Sequence, residues 1–112
     1  MRAVIRERIY GLGRVTEGIC YDTETAKLVA SHSRGYTTDH GYVYEDLYRT
    51  KSGRWFLAGE GGPASRYGKS VDGNGRIGGR GIVPITELEA RDLLEDWEPD
   101  SEAFKYFDIQ DA

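Results

Sequence analysis

From Tyr42 to Arg49 the chain alternates: Tyr42, Tyr44, Asp46 and Tyr48 take one set of positions, and Val43, Glu45, Leu47 and Arg49 the other. A period of two is that of a strand, whose successive side chains point to opposite faces. Thr50-Lys51-Ser52-Gly53 follows, polar residues ending in a glycine, the order of a type I turn closed by a left-handed glycine. Arg54-Trp55-Phe56-Leu57-Ala58 then returns with residues that favour strands. The pattern predicts a hairpin over residues 42–58 at the centre of an antiparallel sheet.

Towards the C-terminus the period changes. Thr86 and Glu89 have the spacing of a capping box, and Ala90, Leu93, Leu94 and Trp97 fall on one helical face. These signals predict a helix over 87–97, stopped by Pro99. Ser101 then caps a last short turn that directs Ala103, Phe104 and Phe107 inward. Near the N-terminus, residues 3–10 and 14–21 read as two short strands around Gly11-Leu12-Gly13. Asp22 or Thr23 can cap a helix, and Ala26, Val29 and Ala30 recur at helical spacing, so a short helix is expected over 22–31. The competing reading starts a strand at Leu28-Val29. Gly59-Glu60-Gly61-Gly62-Pro63 is expected to turn, and Asp72 to Gly81, with five glycines in ten, to form a mobile loop. Ile82-Val83-Pro84-Ile85 reads as an edge strand, because proline gives a sheet no donor. Together these elements describe an α+β fold: a small antiparallel sheet with helices packed on one side, in a single domain over 1–112.

Composition narrows the class. The 112 residues are 38% hydrophobic and include two Trp, eight Tyr and three Phe, enough apolar surface to offset the entropy of folding. No apolar run reaches the roughly 20 residues that cross a bilayer. Charges interleave the first residues, Met1 to Arg8, unlike a signal peptide. A single cysteine, Cys20, permits no internal disulfide, and a cytoplasmic location is expected. The net charge of −4 conceals an asymmetry. Residues 1–86 carry 13 Lys and Arg against 9 Asp and Glu, whereas residues 87–112 carry 2 against 10. The acidic quarter repels phosphate and suits a basic protein surface, or simply forms a solvated helix face.

Candidate chemistry is sparse. Gly73-Asn74-Gly75-Arg76-Ile77-Gly78 matches a dinucleotide-binding motif in letters, but that motif needs a strand before it and a helix after it, and Ile82-Val83-Pro84 follows instead. Cys20, His32 and His40 show no metal-ligand spacing, and Cys20 between Ile19 and Tyr21 reads as a small buried hydrophobe. Glu45 and Asp46 are adjacent on a strand, so they face opposite ways and cannot share a proton. No catalytic residues, metal or cofactor are expected, and the chain is not expected to be an enzyme. Nucleic-acid binding has firmer support: Arg49, Lys51 and Arg54 surround the hairpin turn, Arg66, Lys69, Arg76 and Arg80 follow, and Tyr42, Tyr44, Tyr48 and Trp55 could stack bases. The competing reading places those aromatics in the core and leaves the cations to solvate the hairpin tip.

Tyr21-Asp22-Thr23-Glu24-Thr25-Ala26, Leu47-Tyr48-Arg49-Thr50-Lys51-Ser52-Gly53-Arg54-Trp55-Phe56-Leu57 and Gly59-Glu60-Gly61-Gly62 resemble a group of small proteins carried by phages, plasmids and integrative elements of bacteria. The resemblance continues through Ser65-Arg66-Tyr67 and Ile82 to Glu87 and covers most of residues 20–97. Tyr10 to Gly18 departs from it as an insertion-like stretch. The motifs are specific to the group and not to one function. Carriage on mobile elements implies a role in host–element conflict, and for a compact acidic product its sharpest form is an anti-CRISPR inhibitor that blocks a bacterial CRISPR-Cas effector. The acidic helix face of Glu87, Asp92, Glu95 and Glu98 would then mimic phosphate charge, or the arginines would dock on protein. A small nucleic-acid-binding accessory protein of a phage or plasmid is the alternative.

Overall fold

The hairpin expected at the centre of the sheet is there. In a computed structural model that describes residues 14–16, 19–73 and 75–107, with side chains from Tyr21 onward, β4 (Val43–Arg49) pairs with β5 (Trp55–Gly61). Leu47 lies opposite Leu57 and Tyr48 opposite Phe56. Gly53 closes the turn at φ 91°, donating its N–H to the Thr50 carbonyl at 2.9 Å. The Thr50 hydroxyl also accepts the Arg54 N–H at 2.9 Å. Outside this pair stand β3 (Lys27–Arg34) and β8 (Gly79–Ile85), giving a four-stranded antiparallel sheet in the order β3-β4-β5-β8. Two small hairpins accompany it: β1 (Arg14–Thr16) with β2 (Ile19–Tyr21), and β6 (Lys69–Ser70) with β7 (Arg76–Ile77). Helix α1 (Glu87–Trp97) and a 3-10 turn (Glu102–Tyr106) complete an α+β fold. Among the described residues no helix is long and apolar enough to cross a membrane.

Both faces of the central pair are buried. On one face α1 lays Ala90 and Leu94 over Ala30, Leu47, Trp55 and Leu57, and Phe107 stacks on the Trp55 ring at 4.8 Å. On the other face Tyr48, Phe56, Ala58 and Ile82 gather with Tyr21, flanked by Leu28 and Tyr44. A bulge between Leu28 and Ala30 puts Val29 with Ala30 on the helix face. The helix and the 3-10 turn thus sit on one side, as expected. The tyrosines of β4 are not beneath them.

Three sequence expectations are corrected. Residues 22–31 do not form a helix: Asp22 starts one turn, accepting the Ala26 N–H at 3.1 Å, and the chain then enters β3. An isolated ten-residue helix is marginal, and pairing with β4 satisfies the same backbone while burying Ala30. Gly59, Glu60 and Gly61 continue β5 instead of turning, because the segment after them needs their bare backbone. A Cβ on Gly59 would overlap the Tyr67 ring, and one on Gly61 would overlap Ser65. Within 72–81, Arg76–Ile77 form β7 and Gly79 opens β8, so part of the expected loop is strand, and Gly73 takes a left-handed conformation at φ 83°. Ile82 to Ile85 does lie in an edge strand. The expected strand 3–10, the Gly11-Leu12-Gly13 turn and the Cys20 side chain lie outside the described residues, and within 14–21 two short strands, β1 and β2, pair in place of one.

Two outcomes follow. Gly59→Ala should destabilise the fold by about 1–3 kcal/mol as an overpacking change. In a Tyr67→Ala background most of that loss should vanish, as read by urea denaturation. The capping box of α1 is complete: Thr86 Oγ1 accepts the Glu89 N–H at 3.1 Å and Glu89 accepts the Thr86 N–H at 2.9 Å. The Thr86 backbone N–H, and after it the Thr86 hydroxyl, hold the Glu89 carboxyl below its ordinary pKa. Its contribution is therefore present above the unfolded-state value and lost as pH falls through the depressed one. Glu89→Gln keeps an acceptor without a titration, so the acid side of its melting-temperature profile should be flatter than that of the parent.

Candidate functional site

Eleven charged residues are candidates from the sequence, and the fold sorts nine of them into three groups, with Arg54 and Lys69 apart. The first is tied into the scaffold. Arg66 lies 3.3 Å from Glu45, whose carboxylate also accepts the Tyr67 hydroxyl at 2.8 Å. Burial, then the charge and hydrogen bond of Glu45, push the Tyr67 phenol far above the ordinary tyrosine range, so it stays a donor. Arg76 donates to the Pro63 carbonyl at 2.8 Å and to Ser70 Oγ at 3.3 Å, fastening the β6-β7 hairpin. Arg80 faces Glu60 at 3.9 Å across a groove of about 610 Å³ that Tyr42 also lines, and the Tyr42 hydroxyl reaches the same carboxylate at 3.4 Å. Glu60 thus has both of its partners within the groove, while Lys69, which also lines it, has no ion pair among the described residues.

The second group is the exposed side of α1. Ala90 and Leu94 are fully buried, which turns Glu87, Asp92, Glu95, Asp96 and Glu98 outward. Asp92 meets Arg91 at 3.7 Å; Glu87, Glu95, Asp96 and Glu98 have no ion pair among the described residues. The last turn of the helix carries no basic residue. A helix C-terminus is the negative end of the macrodipole and favours cations. Carboxylates at Glu95, Asp96 and Glu98 therefore work against the local field.

The third group converges. Arg49 lies at the end of β4, directly opposite Lys27 of β3, and Lys51 follows in the turn. The 3-10 turn, capped by Ser101, brings Tyr106 between them. The Tyr106 ring centroid is 5.1 Å from the Arg49 guanidinium, 5.2 Å from Lys27 Nζ and 5.8 Å from Lys105 Nζ. Arg49 also lies 5.8 Å over Trp55. Lys27, Arg49, Lys51, Thr25 and Tyr106 line a cavity of about 300 Å³ with no carboxylate in its wall among the described residues. The hydrogen bond from Lys27 and the surrounding cations lower the Tyr106 pKa. Arg54 is exposed beside a different hollow, with Thr86 and Glu87.

Lys27, Lys105 and Tyr106 were not nominated from sequence. Reading 22–31 as a helix removed the signal that would have found Lys27, since only a strand places it opposite Arg49. The base-stacking expectation fails for three of its four aromatics, since Tyr48 and Trp55 are 1% and 2% exposed and Tyr42 is buried too, while Tyr44 is half-buried against the core. These aromatics build the core. Glu45 and Asp46 point to opposite faces, as expected, with the Ser31 hydroxyl donating to Asp46 at 2.6 Å. His32 stacks on Trp97 at 5.0 Å, and among the described residues no three His, Cys, Asp or Glu gather as a metal cage. The segment 73–78 leads into β8, not a helix. The chain matches no family model, no curated protein and no solved structure.

Replacing Lys27 by Met should raise the Tyr106 pKa, because the phenolate loses its nearest donor and one cation. Ultraviolet titration of the parent against a Tyr106→Phe reference reads that shift, and an unchanged pKa would refute the arrangement.

Proposed function

We propose that this protein is a non-catalytic inhibitor that occupies a basic, nucleic-acid-binding surface of a partner protein through the exposed carboxylates of α1. One observation carries the reading. Glu95, Asp96 and Glu98 concentrate negative charge at the helix end where the backbone already supplies it, without a neutralising cation in the last turn. Such a surface gains most when a basic partner covers it. The resemblance to mobile-element proteins makes a bacterial CRISPR-Cas effector the partner of choice, and the protein an anti-CRISPR that denies the effector its nucleic acid.

The test is a combined reversal, Glu87→Lys, Asp92→Lys, Glu95→Lys and Glu98→Lys, none of them in the core. Purified effectors of different types are assayed for nucleic-acid cleavage with parent and variant. The parent should inhibit at least one effector, and the variant should lose at least tenfold in potency with an unchanged circular dichroism spectrum. Equal potency would eliminate charge mimicry by this face. The alternative, a nucleic-acid-binding accessory protein, draws on the convergence of Lys27, Arg49 and Lys51. It requires gel-shift binding that weakens steeply with salt.

A further inference from the structure

The cavity beneath Tyr106 is built from elements other than the carboxylate face and is of opposite charge. Its wall holds two lysines and an arginine, and no ion pair among the described residues neutralises Lys27, Arg49 or Lys51. Like charges directly across a strand pair are unfavourable, and Lys27 and Arg49 are such a pair. The fold keeps them there through aromatic contacts: Arg49 rests against Trp55 and Tyr106, and Lys27 against Tyr106. Arg49 Nε is buried and has no hydrogen-bond acceptor among the described residues.

We infer that the cavity lined by Lys27, Arg49, Lys51 and Tyr106 is a binding site for a compact phosphate group, such as free phosphate, pyrophosphate or a phosphate monoester. A planar guanidinium offers two parallel donors to such an oxyanion, and the ammonium groups act as point charges around it. Size and layout favour a small ligand over a polymer. The volume of about 300 Å³ is at the lower end of small-molecule sites. The cations surround one ring instead of tracing a path, and Arg66, Arg76 and Arg80, which could extend a path, hold Glu45, Pro63 and Glu60.

Calorimetric titration of the full chain with inorganic phosphate, pyrophosphate and a single-stranded oligonucleotide lacking terminal phosphates tests this. Pyrophosphate should bind saturably at one site, and inorganic phosphate more weakly at the same site. Lys27→Gln with Lys51→Gln should weaken pyrophosphate binding at least tenfold while leaving the ligand-free melting temperature equal or higher, since repulsion is relieved. A lower ligand-free melting temperature would assign the lysines a structural role and overturn the proposal. So would absent saturation by either phosphate, or affinity unaffected by the two substitutions. Tighter binding of the oligonucleotide than of pyrophosphate, falling steeply with salt, would overturn it in favour of a nucleic-acid groove.

Discussion

Pairing β4 with β5 sets a demand that the remaining elements meet, because both faces of that ribbon are apolar. Leu47 and Leu57 on one side and Tyr48 and Phe56 on the other are almost wholly withdrawn from water. Each such side chain contributes about 1.5–3 kcal/mol when covered, so neither face can be left open. Helix α1 and Phe107 cover the first, and Tyr21 with the flank of β3 covers the second. The same strand carries Glu45 and Asp46, both buried, which must find polar partners where water is excluded. Tyr67 and Arg66 meet the first, and Ser31 is one partner of the second. Much of the loop after β5 is shaped by this need.

Charge is distributed by the same geometry. Once one face of α1 is committed to the sheet, the carboxylates have only solvent to face. Once β3 and β4 are in register, Lys27 and Arg49 must be neighbours, and the returning C-terminal segment brings Tyr106 to them. The carboxylates of α1 and the cations of the hollow thus lie on separate elements, with no ion pair between the two groups among the described residues. A molecule arranged in this way presents two surfaces that do not quench each other, an acidic helix and a basic hollow.

How much of this was visible beforehand depended on how local the signal was. The 42–58 hairpin and the 87–97 helix were legible because alternation, turn glycine and capping box each act within a few residues. Residues 22–31 were misread because their helical spacing is real but short, and a long-range partner strand outweighs it. Gly59 and Gly61 were misread as turn residues because glycine serves two ends, freedom of φ and absence of a side chain, and here the second governs. The acidic face could be named residue by residue except for Asp96. The basic hollow could not, since it joins Lys27, Arg49 and Tyr106 from three distant segments through a register that composition does not encode.

Among the described residues the sheet also has two margins without a partner strand, β3 and β8. Unpaired strand margins invite a second molecule to add its own ladder. One margin includes Pro84, which has no N–H to offer, and the other is bent by the irregularity between Leu28 and Ala30. Neither rim is a straight, fully equipped template, so the strands that create the core also discourage this chain from accreting onto copies of itself.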